Sequence, residues 1–546
     1  MPLNPLMVKK QKRSVSASLR LCEKPKQAKR LSDPRASVVL FAVKKTSIPL
    51  KNTLFSPHIH KLPIGLITPL PLNLFPKQKS YPQIHSLMEK NHLISLRLGF
   101  STRQAPQVQQ QGLSAFIATQ LNSNSSIAVP DFLQDAPKTL RELQALRKQT
   151  AQEPNSEKIA KDIIKKGFQW KAFVLQRCFE TKTPLREKIN LYFQNHFVTT
   201  LKGVKVPYWS YTYYKTIHDH ALGNYKTLVK EMVYSNAMIM YLDNQQNKKG
   251  SSNENLAREL LELFTLGEGH YSEADIKNTA LALAGLNFGE EKGMYRPFLK
   301  DNSTKTLWGK SGNFTIEDVI DLIFEQPNTP YFLTHKVLQW FFEDNPSPEK
   351  VKRYGDYLKQ NQFELQPFFQ HLFETECKAD TGGTQLKNPL VYLFQLYHDL
   401  NLEPNYRLMA FWLKNQGMDI FDQPNVKGWK GGKDWLTAQI YADRNQFIDF
   451  VINGSQQYAN RLSKRLEKFD VGKISFEPTL VLTNRANAQS ILEELTQRMV
   501  FATHDEMWAE LHQLLKYDFD VQAENASKSI LTVYQYLAKS PEFQII

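Results

Sequence analysis

A predominantly α-helical globular protein is the fold class this sequence predicts, and three observations lead there. Apolar residues recur at helical spacing through most of the chain after Met88, clusters of Gly, Pro and Asn interrupt that pattern, and strand-like alternation is sparse. The chain is 546 residues long, 41% hydrophobic and 12% aromatic, which supplies apolar surface for more than one packed helical core.

Taken in order, the periodicity predicts helices over 107–120, 138–150, 157–180, 185–199, 208–221, 225–234, 253–266, 273–285 and 316–324. Further helices are expected over 330–342, 348–359, 389–400, 406–415, 435–452, 486–501 and 527–538. Two long stretches, 287–312 and 418–434, are rich in Gly, Asn and aromatic residues and read as irregular loops, a length usually tied to function or motion. No repeat of about 20 to 50 residues is visible, so a solenoid has no support. The working division is a helical core over 88–452 followed by a helical C-terminal part over 453–546.

Residues 1–87 are a different kind of sequence. They hold 16 of the 69 Lys and Arg residues against only Glu23 and Asp33, together with 11 of the 28 prolines, and show no sustained periodicity. Such a segment cannot bury enough surface to offset its chain entropy. It reads as a basic disordered tail, a targeting segment, or sequence upstream of a start at Met88, where the amphipathic pattern begins. The apolar stretch 37–43 is short for a secretory signal and is followed at once by Lys44 and Lys45, so the default compartment is the cytoplasm.

The whole chain has a formal charge of +15, but removing this leader leaves a net of only +1. A basic groove for nucleic acid is therefore not expected in the folded part, and nucleic-acid binding would have to use the leader. Cys22, Cys178 and Cys377 are too far apart for a disulfide framework or a CxxC metal site. No run of about 18 apolar residues suggests a membrane span. A zinc site wants His or Cys at short helical spacing, and His218 and His220 point away from each other on a helix, so no metal ligands are assigned.

Several motifs carry a family resemblance. They are Pro184-Leu-Arg-Glu-Lys188, Tyr192-Phe-Gln-Asn-His-Phe197, Tyr241-Leu-Asp-Asn244, the run from Asn253 through Leu266-Gly-Glu-Gly-His-Tyr271, and Gln423-Pro-Asn-Val-Lys-Gly-Trp429 with Gly431, Gly432 and Trp435. In this order they resemble the bacterial family called domain of unknown function 1800, over roughly 88 to 452. The family pattern often reads Trp-His-Asn-His where this chain has Phe193-Gln-Asn-His196, and His-Asp where it has Lys300-Asp301. Any metal or acid-base role of those family histidines does not transfer to Gln194 or Lys300. The resemblance implies no established activity and identifies no particular cofactor. It implies frequent export and a sulfatase-like companion protein.

The 253–266 segment offers the most chemistry. At 100° per residue, Glu254, Asn255, Arg258, Glu259 and Glu262 fall into an arc of about 140°, opposite Leu256, Ala257, Leu260, Leu261, Leu263 and Phe264. Arg258 sits one turn from both Glu254 and Glu262 and is expected to pair with both. His270 follows closely, and His196 ends another aromatic helix. The bland reading is a solvated face. The sharper one makes Glu254, Arg258, Glu259, Glu262, His196 and His270 candidate catalytic residues, one carboxyl kept protonated by burial while another stays ionised beside the cation. That division of labour suits a hydrolase or lyase acting on a polysaccharide or similar polar polymer.

Candidate ligand contacts are Asn195, Asp243, Asn253 and Asn255, with Trp429 and Trp435 as stacking platforms for a glycan; both tryptophans would alternatively pack beneath their loop. The competing function is a noncatalytic binding or assembly module partnering the sulfatase-like protein. A concave pocket lined by the carboxylates and reached by His196 or His270 favours the enzyme, whereas a solvated, paired face favours the module.

Overall fold

The structure is a computed structural model, and it describes residues 84–122, 126–150, 156–380, 382–467, 471–516 and 519–546. Nearly all of the leader, Cys22 included, lies outside the described residues. The fold is predominantly α-helical, and sheet is confined, among the described residues, to three short antiparallel pairs. None of the described helices is long and apolar enough to cross a membrane.

Helix starts follow backbone chemistry. Proline occupies the first helical turn at Pro184, Pro207, Pro330, Pro348 and Pro389, where its missing N–H costs nothing. Reciprocal capping boxes fix Ser272 with Asp275 and Thr315 with Asp318. The expected 107–120 helix is instead two, Ala105–Gln111 and Leu113–Leu121, because Gly112 takes φ +77° between them. The stretch 287–312 is also more ordered than expected, with ladders pairing Leu286–Asn287 with Met294–Tyr295 and Lys305–Leu307 with Lys310–Gly312.

At the centre lies the Pro184–His196 helix, buried along nearly its whole surface although it carries Glu187, Lys188, Asn190, Gln194 and His196. Buried polar groups need partners. Glu187 takes Arg177 at 2.7 Å and the Tyr214 hydroxyl at 3.1 Å. Lys188 donates to the carbonyls of Leu96, Arg97 and Gly99 at 2.8–3.0 Å, capping the C-terminal end of the Lys90–Leu98 helix.

The described residues all belong to one compact unit. Ile84–Leu87, the end of the segment read as leader, pairs with Ala502–His504. The helices Ala438–Asn453 and Ala526–Lys539 pack together, and Asp399 accepts from Thr102, Arg498 and Tyr534, so residues on both sides of position 452 share one buried network.

Candidate functional site

The polar segment begins as an α-helix, Asn255–Glu259, and widens into a π-helix over Leu260–Thr265. Its buried side is as expected, with Leu256, Ala257, Leu260, Leu261 and Phe264 shielded from water. The wider turn is closed by the N–H groups of Leu266 and Gly267 donating to the Leu261 carbonyl at 2.9 and 3.2 Å, while the Thr265 hydroxyl donates to the Leu260 carbonyl at 2.6 Å. A regular α-helix does not describe this segment, and the expected ion-pair pattern changes with it.

Arg258 reaches Glu254 at 3.4 Å but pairs on its other side with Glu273, not Glu262, through two bonds of 3.0 Å. The widened turn carries Glu262 off the Arg258 stripe and toward Lys427, at 3.4 Å, and the Tyr271 hydroxyl, at 2.9 Å. The Arg258 guanidinium holds the Glu273 carboxyl below its ordinary range. Glu259 behaves in the opposite way. It is half-buried, and burial together with the adjacent Glu262 raises its carboxyl above the ordinary value.

His196 does not approach these carboxylates from solvent. It is buried with Nε2 at 3.1 Å from both the Phe264 carbonyl oxygen and the Tyr225 hydroxyl, which itself donates to that carbonyl. Burial, with the neighbouring Lys336 charge, pushes His196 down to about 3. It holds the end of the π-helix in place as a neutral ring. His270 lies on the surface after the helix.

The candidate ligand contacts mostly serve the backbone. Asn253 caps the helix by accepting from the Asn255 N–H at 3.0 Å, and its own N–H donates to Asn247 at 3.2 Å. Asn255 itself is exposed. Asp243, in a left-handed conformation, accepts from the amides of Gln245 and Gln246. Asn195 accepts from the Trp429 N–H at 2.8 Å, and Gly428 presses so close that an added Cβ would stand 2.4 Å from the Asn195 Oδ1. Trp429 and Trp435 are only 6% and 9% exposed, so neither offers the open ring face a stacking platform needs. They hold the 418–434 loop down, with help from Lys171 pairing with Asp419 and Asp422. Gln194, at the family's histidine position, is buried with both side-chain polar atoms unpartnered. Asp301 accepts from Ser303 in its own turn.

The structure thus brings Glu254, Arg258, Glu259 and Glu262 onto one face, adds Glu273, Tyr271 and Lys427 to it, and keeps His196 in the core. Lys427 was hidden because it lies 165 residues from its partner. A cavity of ≈ 970 Å³ lies elsewhere, lined by Phe132, Phe173, Arg177, Tyr406, Lys473 and Phe476 among others, none from the polar helix or the 418–434 loop. Among the described residues no group of three or more His, Cys, Asp or Glu is placed to hold a metal ion.

The family model described as protein of unknown function (DUF1800) matches residues 92–545, and the chain belongs to that family. No curated protein and no solved structure matches it.

Proposed function

We propose that this member of the DUF1800 family is a noncatalytic binding or assembly module whose acidic helix face docks a cationic surface on a partner protein, the sulfatase-like companion that the family resemblance implies. The observation that carries this reading is the state of the acidic face. Glu254, Arg258 and Glu273 form a surface network, with Glu273 exposed at 69%, while His196 is committed to the core. Five carboxylates, Glu254, Glu259, Glu262, Glu268 and Glu273, stand against Arg258, Lys277 and Lys427, so the face keeps a negative excess that would steer a positive partner.

The test is calorimetry with the purified companion at low and at physiological salt. Wild type should bind with salt-sensitive affinity, and the Glu254→Lys/Glu273→Lys double variant should lose about tenfold or more with a flatter salt dependence. Equal binding by the two proteins rejects the docking face.

A second reading, hydrolysis or elimination in a polar polymer, rests on Glu259 and Glu262. One carboxyl is raised by burial while its neighbour is held by Tyr271 and Lys427, a division that suits an acid beside a base. Turnover of any polysaccharide that Glu259→Gln abolishes would establish this reading over the first.

A further inference from the structure

Three buried hydrogen-bond donors are carried on neighbouring rings between the end of the Pro184–His196 helix, the Thr329–Phe341 helix and the 418–434 loop. The Tyr192 hydroxyl and the indole N–H groups of Trp340 and Trp429 are each shut off from solvent without an acceptor. The rings form a continuous chain, with centroids 6.1 Å apart for Tyr192 and Trp340 and 6.3 Å apart for Trp340 and Trp429. Tyr192 is 3% exposed and Trp429 6%. Proteins rarely leave such groups unpaired, and three in one place ask for a common acceptor.

Lys336 supplies charge at the same place. It lies one helical turn from Trp340, and its Nζ stands 5.8 Å from the Phe332 ring, which is 6.3 Å from His196; His196 in turn stacks 5.8 Å from Tyr192. Among the described residues Lys336 has no acidic partner, and the charge acting on it is a second lysine, Lys427. His335 and His196 are both driven toward their neutral forms by burial and by Lys336, as expected where positive charge is uncompensated. Indole N–H and ammonium groups donate and cannot accept. A neutral carbonyl or hydroxyl would satisfy a donor but leave Lys336 uncompensated.

We infer that Tyr192, Lys336, Trp340 and Trp429 form a binding site for an oxyanion, a carboxylate, sulfate or phosphate group, with Lys427 at its rim. Lys427 is 66% exposed and only 3.4 Å-paired to Glu262, so it can exchange that partner for the ligand as the anion enters beneath the loop. The site shares Lys427 with the docking face proposed above but none of its buried donors, and the Glu254→Lys/Glu273→Lys test of that face leaves all of its residues in place.

The test follows ¹⁹F spectra of full-length protein carrying 5-fluorotryptophan, titrated with inorganic phosphate, sulfate, acetate and glucuronate against chloride at constant ionic strength. The Trp340 and Trp429 signals, assigned through Trp340→Phe and Trp429→Phe, should shift saturably with at least one anion. Lys336→Met should weaken that anion about tenfold or more, the loss expected for one charge-assisted bond. Trp340→Phe removes an unpaired donor and keeps the ring, so the free protein should be at least as stable while its anion response weakens. A response to phosphate or sulfate alone assigns a tetrahedral group, and one to glucuronate and acetate a sugar-borne or simple carboxylate. No saturable shift with any of the four, an equal response in Lys336→Met, or a Trp340→Phe protein that is less stable with its anion response intact would overturn the inference.

Discussion

Asp399 and Arg258 each gather partners from distant stretches of the chain, one inside the protein and one on its surface. Asp399, 2% exposed, accepts from Thr102 at 3.1 Å, Arg498 at 2.8 and 3.0 Å and Tyr534 at 3.2 Å, joining the first described helices to the last. Arg258 pairs with Glu254 and Glu273 with its side chain 37% exposed. The bond lengths are alike. What differs is the water around them, and therefore what removing one member leaves behind: in the first case an uncompensated buried charge, in the second a group that water takes over.

The largest effect is expected at the buried centre. Asp399→Ala strands Arg498, itself mostly buried, and should cost about 3 to 5 kcal/mol in a denaturant titration. A loss below about 1 kcal/mol would mean that water reaches this network and that the contrast with Arg258 is unsound.

Within the polar helix the same contrast runs between its two sides. Leu260 is fully buried under the π-turn, so Leu260→Ala should cost about 2 to 5 kcal/mol through the cavity it leaves. Glu259, the adjacent residue but half-exposed on the outer side, should behave differently. Its carboxyl is raised by burial and by Glu262, so the folded state prefers the protonated form. Below the ordinary glutamate value of about 4.3 the group is protonated in both states and contributes nothing; as pH rises through the folded value, ionisation costs the folded state stability. Glu259→Gln should therefore be as stable as wild type or more so at pH 7, with the difference closing as pH falls below about 4. A Gln variant that is weaker at pH 7 would mark Glu259 as a structural partner and move it to the Asp399 side of the comparison.

The helical fold was legible because apolar spacing reports burial directly, as at Leu256, Leu260 and Phe264. Local exceptions were harder to read. The Leu365–Ala379 helix was not among those expected; its Pro367 falls in the first turn, where no N–H is needed. The π-turn has no residue signature of its own, so the Arg258 to Glu262 pair was placed by α-helical spacing and the true partner, Glu273, belongs to the next helix. Lys427 and Asn195 find their roles only when the 418–434 loop folds over the Pro184–His196 helix. The donor cluster did leave a trace, a Phe332, Lys336, Trp340 stripe at successive turns of one helix, but only packing reveals that the lysine has no acid to meet.

The smallest effect is expected at Arg258, although it is the cation within the acidic arc. Arg258→Met keeps much of the aliphatic stem and removes the charge, so packing losses are limited. Its partner Glu273 is 69% exposed and Glu254 34%, and both carboxylates can turn to water once the guanidinium is gone. The bidentate contact with Glu273 has good geometry, which places it toward the upper end of the small contribution that exposed pairs make. The sign with pH is also set. Glu273 is held below its ordinary range by Arg258, so the pair stabilises the fold above the unfolded carboxyl value and loses that contribution as pH falls through the lower folded value. Denaturant titrations at pH 8 and pH 5 should thus give the same small difference between wild type and Arg258→Met, because both lie above the ordinary glutamate value of about 4.3, and the difference should shrink as pH falls below it. Raising salt should shrink it as well. A loss of about 3 kcal/mol or more, insensitive to salt, is the signature of a buried network; it would place Arg258 beside Asp399 and remove the solvated acidic face on which the docking proposal stands.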